Sequence, residues 1–191
     1  MNYLAIDAST EACSVALKFN GNISSEFEIC PQSHSLLLLP MIDRLLKAAD
    51  CKLSQLDGLI YGQGPGSFTG VRIGIGVAQG LAFSADLAVV GVSTLQNMAQ
   101  LAYQKHQQTK VIATIDARMS EVYNGYFELD QSGIMQPMLA ESVLPPEKLA
   151  EHLAKYTQQA YGVGTGWDAY EGALSALKQN ALQQDSASPE I

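Results

Sequence analysis

The sequence predicts an α/β fold in two lobes, and three observations point to it. Three strand-like runs open the chain as a set, strands then alternate with helical segments, and this order begins again near Lys110. A polar stretch, YQKHQQTK at 103–110, separates the two rounds and puts the lobes at 1–105 and 106–191. With 191 residues, 47% of them hydrophobic, there is apolar material enough for two small cores.

In chain order, YLAIDAS (3–9), CSVALKF (13–19) and the alternating NISSEFEI (22–29) read as strands, with T-E-A and N-G as the turns between them. Asn20-Gly21 is a hairpin signal, since both residues accept positive φ. SHSLLLLPMIDRLLKAAD (33–50) reads as a helix with Ser33 or Ser35 near its start and Arg44 and Lys47 near its negative end. Pro40 either kinks that helix or marks its first turn. LDGLIYGQGPG (56–66) is a buried strand ending in a Gly/Pro turn, and the helix after it, 67–86, is capped by Ser67. LAVVGVS (87–93) is a strand and TLQNMAQLAYQK (94–105) a helix.

The second round contains the strands KVIATIDAR and EVYNGYFEL and the proline-opened helix PPEKLAEHLAKY. The strand QAYGVGTG and the helix WDAYEGALSALKQ follow, and a polar end, QQDSASPEI, is expected to fray.

A net charge of −8 and a pI near 4.7 speak against direct grip on a nucleic-acid backbone, which is held chiefly by Lys and Arg. Cys13, Cys30 and Cys51 lie far apart, with no C-x-x-C pair and no His at ligand spacing, so no metal site and a reduced, cytoplasmic setting are expected. No apolar run reaches the ~18 residues of a membrane span, and the N-terminus has no basic region before an apolar stretch.

Few residues promise chemistry. Asp7 ends the first strand, where a carboxylate either meets a nucleotide or merely closes a turn. GQGPGSFTGVRIG has glycine amides before a helix, a setting that binds anions, but it lacks G-K-[ST], and Arg72 lies a turn or more inside the helix. His34, His106 and His152 are isolated, and Asp116, Arg118 and Glu121 fit an ion pair in a turn.

The glycines have a second use. Gly66, Gly70, Gly74 and Ala78 recur every four residues as a stripe of small side chains. Each interior glycine costs a helix about 1 kcal/mol relative to alanine, so close packing must compensate, either on the helix's own sheet or against a partner's helix. Leu36, Leu37, Leu38 and Leu39 cover every side of one turn of the preceding helix, more than one core needs.

Read in order, AIDASTEACSVAL, SHSLLLLPMIDRLL, GQGPGSFTGVRIGIGVAQGLA, GVSTLQNMAQ, IDARMSEVY and GVGTGW resemble the TsaB/YeaZ family from end to end. The Gly-rich block is the most specific of these. The resemblance implies the two-lobed fold of actin, Hsp70 and acetate kinase (the ASKHA fold). It also implies kinship with TsaD, the subunit that holds a metal and transfers the threonylcarbamoyl group.

In TsaD an N-H-L-E-G-H type segment supplies two metal-binding histidines. Here the matching positions are Thr94 and Met98, and neither a hydroxyl nor a thioether replaces imidazole. The implied role is a non-catalytic scaffold required with TsaD and the ATPase TsaE to form threonylcarbamoyladenosine at position 37 of tRNA. ATP and a divalent metal would then be used by the partners and no cofactor by this chain.

Docking to TsaD, or to a second copy when alone, is expected through the helices at 35–49 and 67–83. From the first, Leu36, Leu37, Leu39 and Met41 would serve; from the second, Gly70, Ile73, Gly74, Val77, Ala78 and Leu81. Family members continue with a further helix and a tail near a Y-L-R motif, so the C-terminus is expected to be shortened, by truncation or as a short member. Two other readings compete. One is an ATP-dependent carbamoyl or phosphoryl transferase using Asp7 and the glycine turns. The other is a protease, suggested by old labels on the family, for which no metal or Ser/His/Asp pattern is found.

Overall fold

The computed structural model describes residues 1–153, 155–156, 160–178 and 184–185. These form two compact units, Met1–Thr94 and a second that begins at Leu95.

In the first unit, β1 (Tyr3–Asp7), β2 (Ala12–Phe19) and β3 (Asn22–Ile29) precede α1 (His34–Ala48), β4 (Gly58–Gly64), α2 (Phe68–Ala85) and β5 (Val89–Ser93). The sheet runs β3-β2-β1-β4-β5, antiparallel across β1, β2 and β3 and parallel from β1 to β4 to β5. The register sets Leu4 opposite Leu17 and Ile6 opposite Val15, so one face of alternate residues is apolar. That face, with Leu38, Met41, Ile42 and Leu45 of α1 and Ala78 of α2, forms the core. Asn20 and Gly21 turn the β2–β3 hairpin with φ of 51° and 85°, as their sequence predicts.

Two helix starts behave differently. Ser67 caps α2 through its Oγ, which accepts from the Gly70 N–H at 3.3 Å, and Asp86 closes the other end in the left-handed region. Ser33 precedes α1 without a side-chain cap, and Pro40 stands inside the helix rather than in its first turn.

The second unit holds α3 (Thr94–His106), which starts on the last residue of the first, then β6 (Lys110–Arg118), β7 (Glu121–Leu129), β8 (Met135–Pro137), β9 (Ser142–Leu144), α4 (Pro146–Leu153), β10 (Tyr161–Val163), α5 (Gly166–Ala169), α6 (Glu171–Lys178) and β11 (Gln184–Asp185). Its sheet order is β11-β10-β6-β7-β8, with β9 also on β7. The β6–β7 pair is antiparallel, and β6, β10 and β11 are parallel. The connectivity of the first sheet is thus repeated, the arrangement of the ASKHA fold.

The units divide at Thr94 and Leu95 rather than near 105, which moves α3 into the second. Its buried Leu95, Met98, Ala99 and Ala102 pack with Val111, Phe127 and Tyr161, whereas the polar run at its end marks only a surface. Two further differences concern the C-terminal part. The helix expected over WDAYEGALSALKQ is broken at Tyr170, and Gln184–Asp185, expected to fray, pairs with β10. The rest of that polar end lies outside the described residues. Among the described residues no helix is long and apolar enough to cross a membrane.

Candidate functional site

Helix α2 carries two stripes of small residues, and the sheet decides which is inside. Gly70, Gly74, Ala78 and Ala82 are buried. A Cβ on Gly70 would overlap the Ala8 carbonyl, and one on Gly66 the Ser9 carbonyl, so the inner stripe lets α2 lie directly on the β1–β2 turn. Gly76 and Gly80 face open space on the opposite side.

This corrects part of the expected docking surface. Gly70, Gly74 and Ala78 belong to the lobe's own packing, and so does Met41, which is 1% exposed. Leu37, Ile73, Val77 and Leu81 are half-buried against the same core. Leu36 and Leu39 are exposed as expected, at 73% and 49%. Phe68 at 75% and Phe83 at 90% join the outward apolar groups, and sequence reasoning passed over both. Their spacing from Gly76 and Gly80 on the helix was the available signal. Arg72 lies on the same outward side, donating to the Phe68 carbonyl at 2.8 Å and stacking over the Phe68 ring.

Asp7 ends β1 beneath the glycine turn. It is 8% exposed, and its Oδ1 accepts the Ser9 N–H at 2.5 Å. Burial pushes its carboxyl above the usual range, opposed by the hydrogen bond from the Ser9 backbone. A Cβ on Gly62 would overlap the carboxylate, so β4 closes over it. Three amides of the glycine turn and helix start are committed within the lobe: Ser67 N–H donates to the Ser9 carbonyl at 2.7 Å, Val71 N–H to the Ser67 carbonyl at 2.9 Å, and Gly70 N–H to Ser67 Oγ.

Thr94 and Met98 stand one turn apart on α3, both buried at 1% and 4%. Thr94 Oγ1 has no hydrogen-bond partner among the described residues. The terminal methyl of Met98 fills the space beside Gly164, where a Cβ would overlap it. A catalytic divalent metal does not fit this pair, which offers one buried hydroxyl and a packed thioether.

At the β6–β7 turn, Arg118 pairs with Asp116 at 3.2 Å, and the Tyr170 hydroxyl donates to Asp116 at 2.8 Å, so this cluster braces a turn. The fold also gathers three residues that appear isolated in sequence. Cys13, Cys30 and His34 place a sulfur, a sulfur and an imidazole nitrogen within 4.8 Å of one another, all buried.

Comparison with known proteins adds kinship. The family model described as "TsaD: tRNA N6-adenosine threonylcarbamoyltransferase" matches residues 27–186. The tRNA threonylcarbamoyladenosine biosynthesis protein TsaB of Escherichia coli is 49% identical over 170 residues, 89% of this chain and 74% of that protein. Its namesake from Haemophilus influenzae is 44% identical over 199 residues, 99% and 81% respectively. The solved structure of YeaZ from Pseudomonas aeruginosa superposes with a TM-score of 0.88 at 44% identity, covering 98% of this chain and 85% of that one. The ethanolamine utilization protein EutJ of Carboxydothermus hydrogenoformans, at 11% identity and a TM-score of 0.50, shares the fold alone.

Proposed function

Since this chain belongs to the TsaB (YeaZ) family, we propose that it acts in threonylcarbamoyladenosine formation on tRNA as a non-catalytic scaffold for TsaD, with TsaE as a further partner. The observation that carries the reading is the pair Thr94 and Met98. Where the transferase resemblance calls for two imidazoles, this chain offers a buried hydroxyl and a packed thioether, so the fold is kept without its catalytic metal. The transferase then supplies the metal, the ATP-using partner the nucleotide, and this chain neither. The Asp7 turn agrees, because its carboxyl is covered and its neighbouring amides are bonded within the lobe.

The docking face is the outward side of α1 and α2, where Leu36 and Leu39 of α1 are exposed and Phe83 of α2 stands in solvent on the helix that carries the bare Gly76 and Gly80. Large apolar groups flanking a small-residue groove suit the approach of another helix. A second copy of the chain uses this face when TsaD is absent. With a net charge of −8, the tRNA is held by a partner, and the setting is cytoplasmic.

The test is size-exclusion chromatography with light scattering on the chain alone and with TsaD. A homodimer that gives way to a mixed complex is expected. A monomer indifferent to TsaD, or a chain that makes threonylcarbamoyladenosine without TsaD, would sink the proposal.

A further inference from the structure

We propose that Cys13, Cys30 and His34 form a structural site for a thiophilic d10 cation, zinc being the natural candidate, inside the first lobe. The three come from separate elements: Cys13 from β2, Cys30 from the residue after β3, and His34 from the first residue of α1. Antiparallel pairing sets Ala12 opposite Ile29 and Cys13 opposite Glu28, so Cys13 and Cys30 are diagonal neighbours on the inner face. The Cys30 N–H donates to the Glu11 carbonyl at 2.9 Å and holds the end of β3 in place.

Donor chemistry and geometry both suit such an ion. Two thiolates and an imidazole are a zinc set, and tetrahedral zinc with Zn–S of about 2.3 Å places its ligand atoms about 3.8 Å apart. Donors already within 4.8 Å of one another need close by no more than about 1 Å.

The histidine is also prepared for the task. Its Nε2 lies 2.8 Å from the Thr10 carbonyl, which can only accept, so Nε2 carries the proton and Nδ1 keeps a lone pair for the cation. Ligating histidines ordinarily donate their other N–H to such a carbonyl.

The binding step balances. Each thiol loses its proton to solvent as a sulfur–metal bond forms, the Nδ1 lone pair makes the third bond, and a water completes the tetrahedron. The dication offsets two thiolates, so the buried site ends neutral. Burial, the Cys30 thiol and nearby Asp7 push the Cys13 thiol up to about 12, so it stays protonated until a cation displaces the proton.

The reading goes beyond the scaffold proposal and does not depend on it. It assigns the cation a structural role, tying the start of β2 and the end of β3 to the start of α1.

The experiment uses reduced full-chain protein freed of excess thiol and titrated with Co2+, then with Zn2+. One equivalent of cobalt is expected to give a thiolate charge-transfer band and strong tetrahedral d–d bands, which zinc abolishes while raising the melting temperature. Cys30→Ser and His34→Gln, whose amide can keep the bond to Thr10, should weaken binding by roughly 100-fold or more, and Cys51→Ser should not. X-ray absorption on the zinc-loaded unmutated chain should find two sulfur ligands and at least one nitrogen, a result that does not depend on how the variants fold. The inference is overturned by a chain that gives no cobalt–thiolate band, whether its Cys13 and Cys30 stay as thiols or join as a disulfide under the conditions of the titration. A band that survives both substitutions, or that needs Cys51, overturns it equally.

Discussion

The carbonyl oxygen of Ala8 occupies the place where a Cβ on Gly70 would have to stand. The β1–β2 turn and the first turn of α2 therefore touch backbone to backbone. Because both partners are main chain, no rotamer change relieves an added methyl. Gly70→Ala is expected to destabilise the chain by about 1–3 kcal/mol, read from urea unfolding. A variant as stable as the parent would show that α2 can shift freely.

Gly76 and Gly80 respond in the opposite way, since nothing lies within 4 Å of a Cβ on either. Replacing either by alanine removes a helix penalty of about 1 kcal/mol and should raise the melting temperature. An unchanged or lower value would mean that these positions are not exposed in the protein's resting association state.

The proposed docking face has its own variants. Leu36→Asp and Phe83→Asp change groups that are 73% and 90% exposed, so far-UV circular dichroism should stay the same, while the proposed homodimer and the proposed complex with TsaD should weaken together. Intact association in the double variant would move the interface elsewhere.

Asp7 sets a pH dependence of unusual sign. Its folded pKa lies above the ordinary 3.8 because burial disfavours the charge. As pH rises past 3.8 the unfolded chain gives up this proton first, so the folded state holds more protons and stability falls with pH until the folded group ionises too. Asp7→Asn should therefore be more stable than the parent at neutral pH, with the gain vanishing below pH 3.8. Melting temperatures across that range decide it; a loss of stability at neutral pH would contradict the sign.

Asp130 behaves in the usual direction. Its Oδ1 accepts from the Ser132 hydroxyl and from the backbone of Ser132 and Ile134, and its Oδ2 from the Gln136 amide. These bonds, the Ser132 side chain first, hold its pKa down to about 2. The stabilisation is complete above the ordinary 3.8 and disappears as pH falls through about 2. Asp130→Asn should flatten the acid limb of the stability curve between those values, and an unaltered limb would show that the turn contributes nothing there.

Much of this molecule was legible because its causes are local. The Asn20-Gly21 turn, the Ser67 cap and the proline opening of α4 depend on a few adjacent residues, and each forms as its chemistry requires. The Thr94 and Met98 positions came from the resemblance to TsaD rather than from local chemistry, and the structure adds that they lie one turn apart on α3. The boundary near 105 was misplaced because polarity reports exposure, whereas α3's allegiance depends on which core takes Leu95, Met98 and Ala102.

By itself, then, the sequence determined the order of elements, the repeated α/β pattern and the acidic charge, all matters of residue type and short-range spacing. Only the tertiary structure decided which face of α2 is inside. Gly70 and Gly74 share one side and Gly76 and Gly80 the other, and a four-residue repeat reads the same on both until the Ala8 carbonyl lies against one. The gathering of Cys13, Cys30 and His34 likewise waited on strand register, because a one-residue slip of β3 would have turned Cys30 to the opposite face.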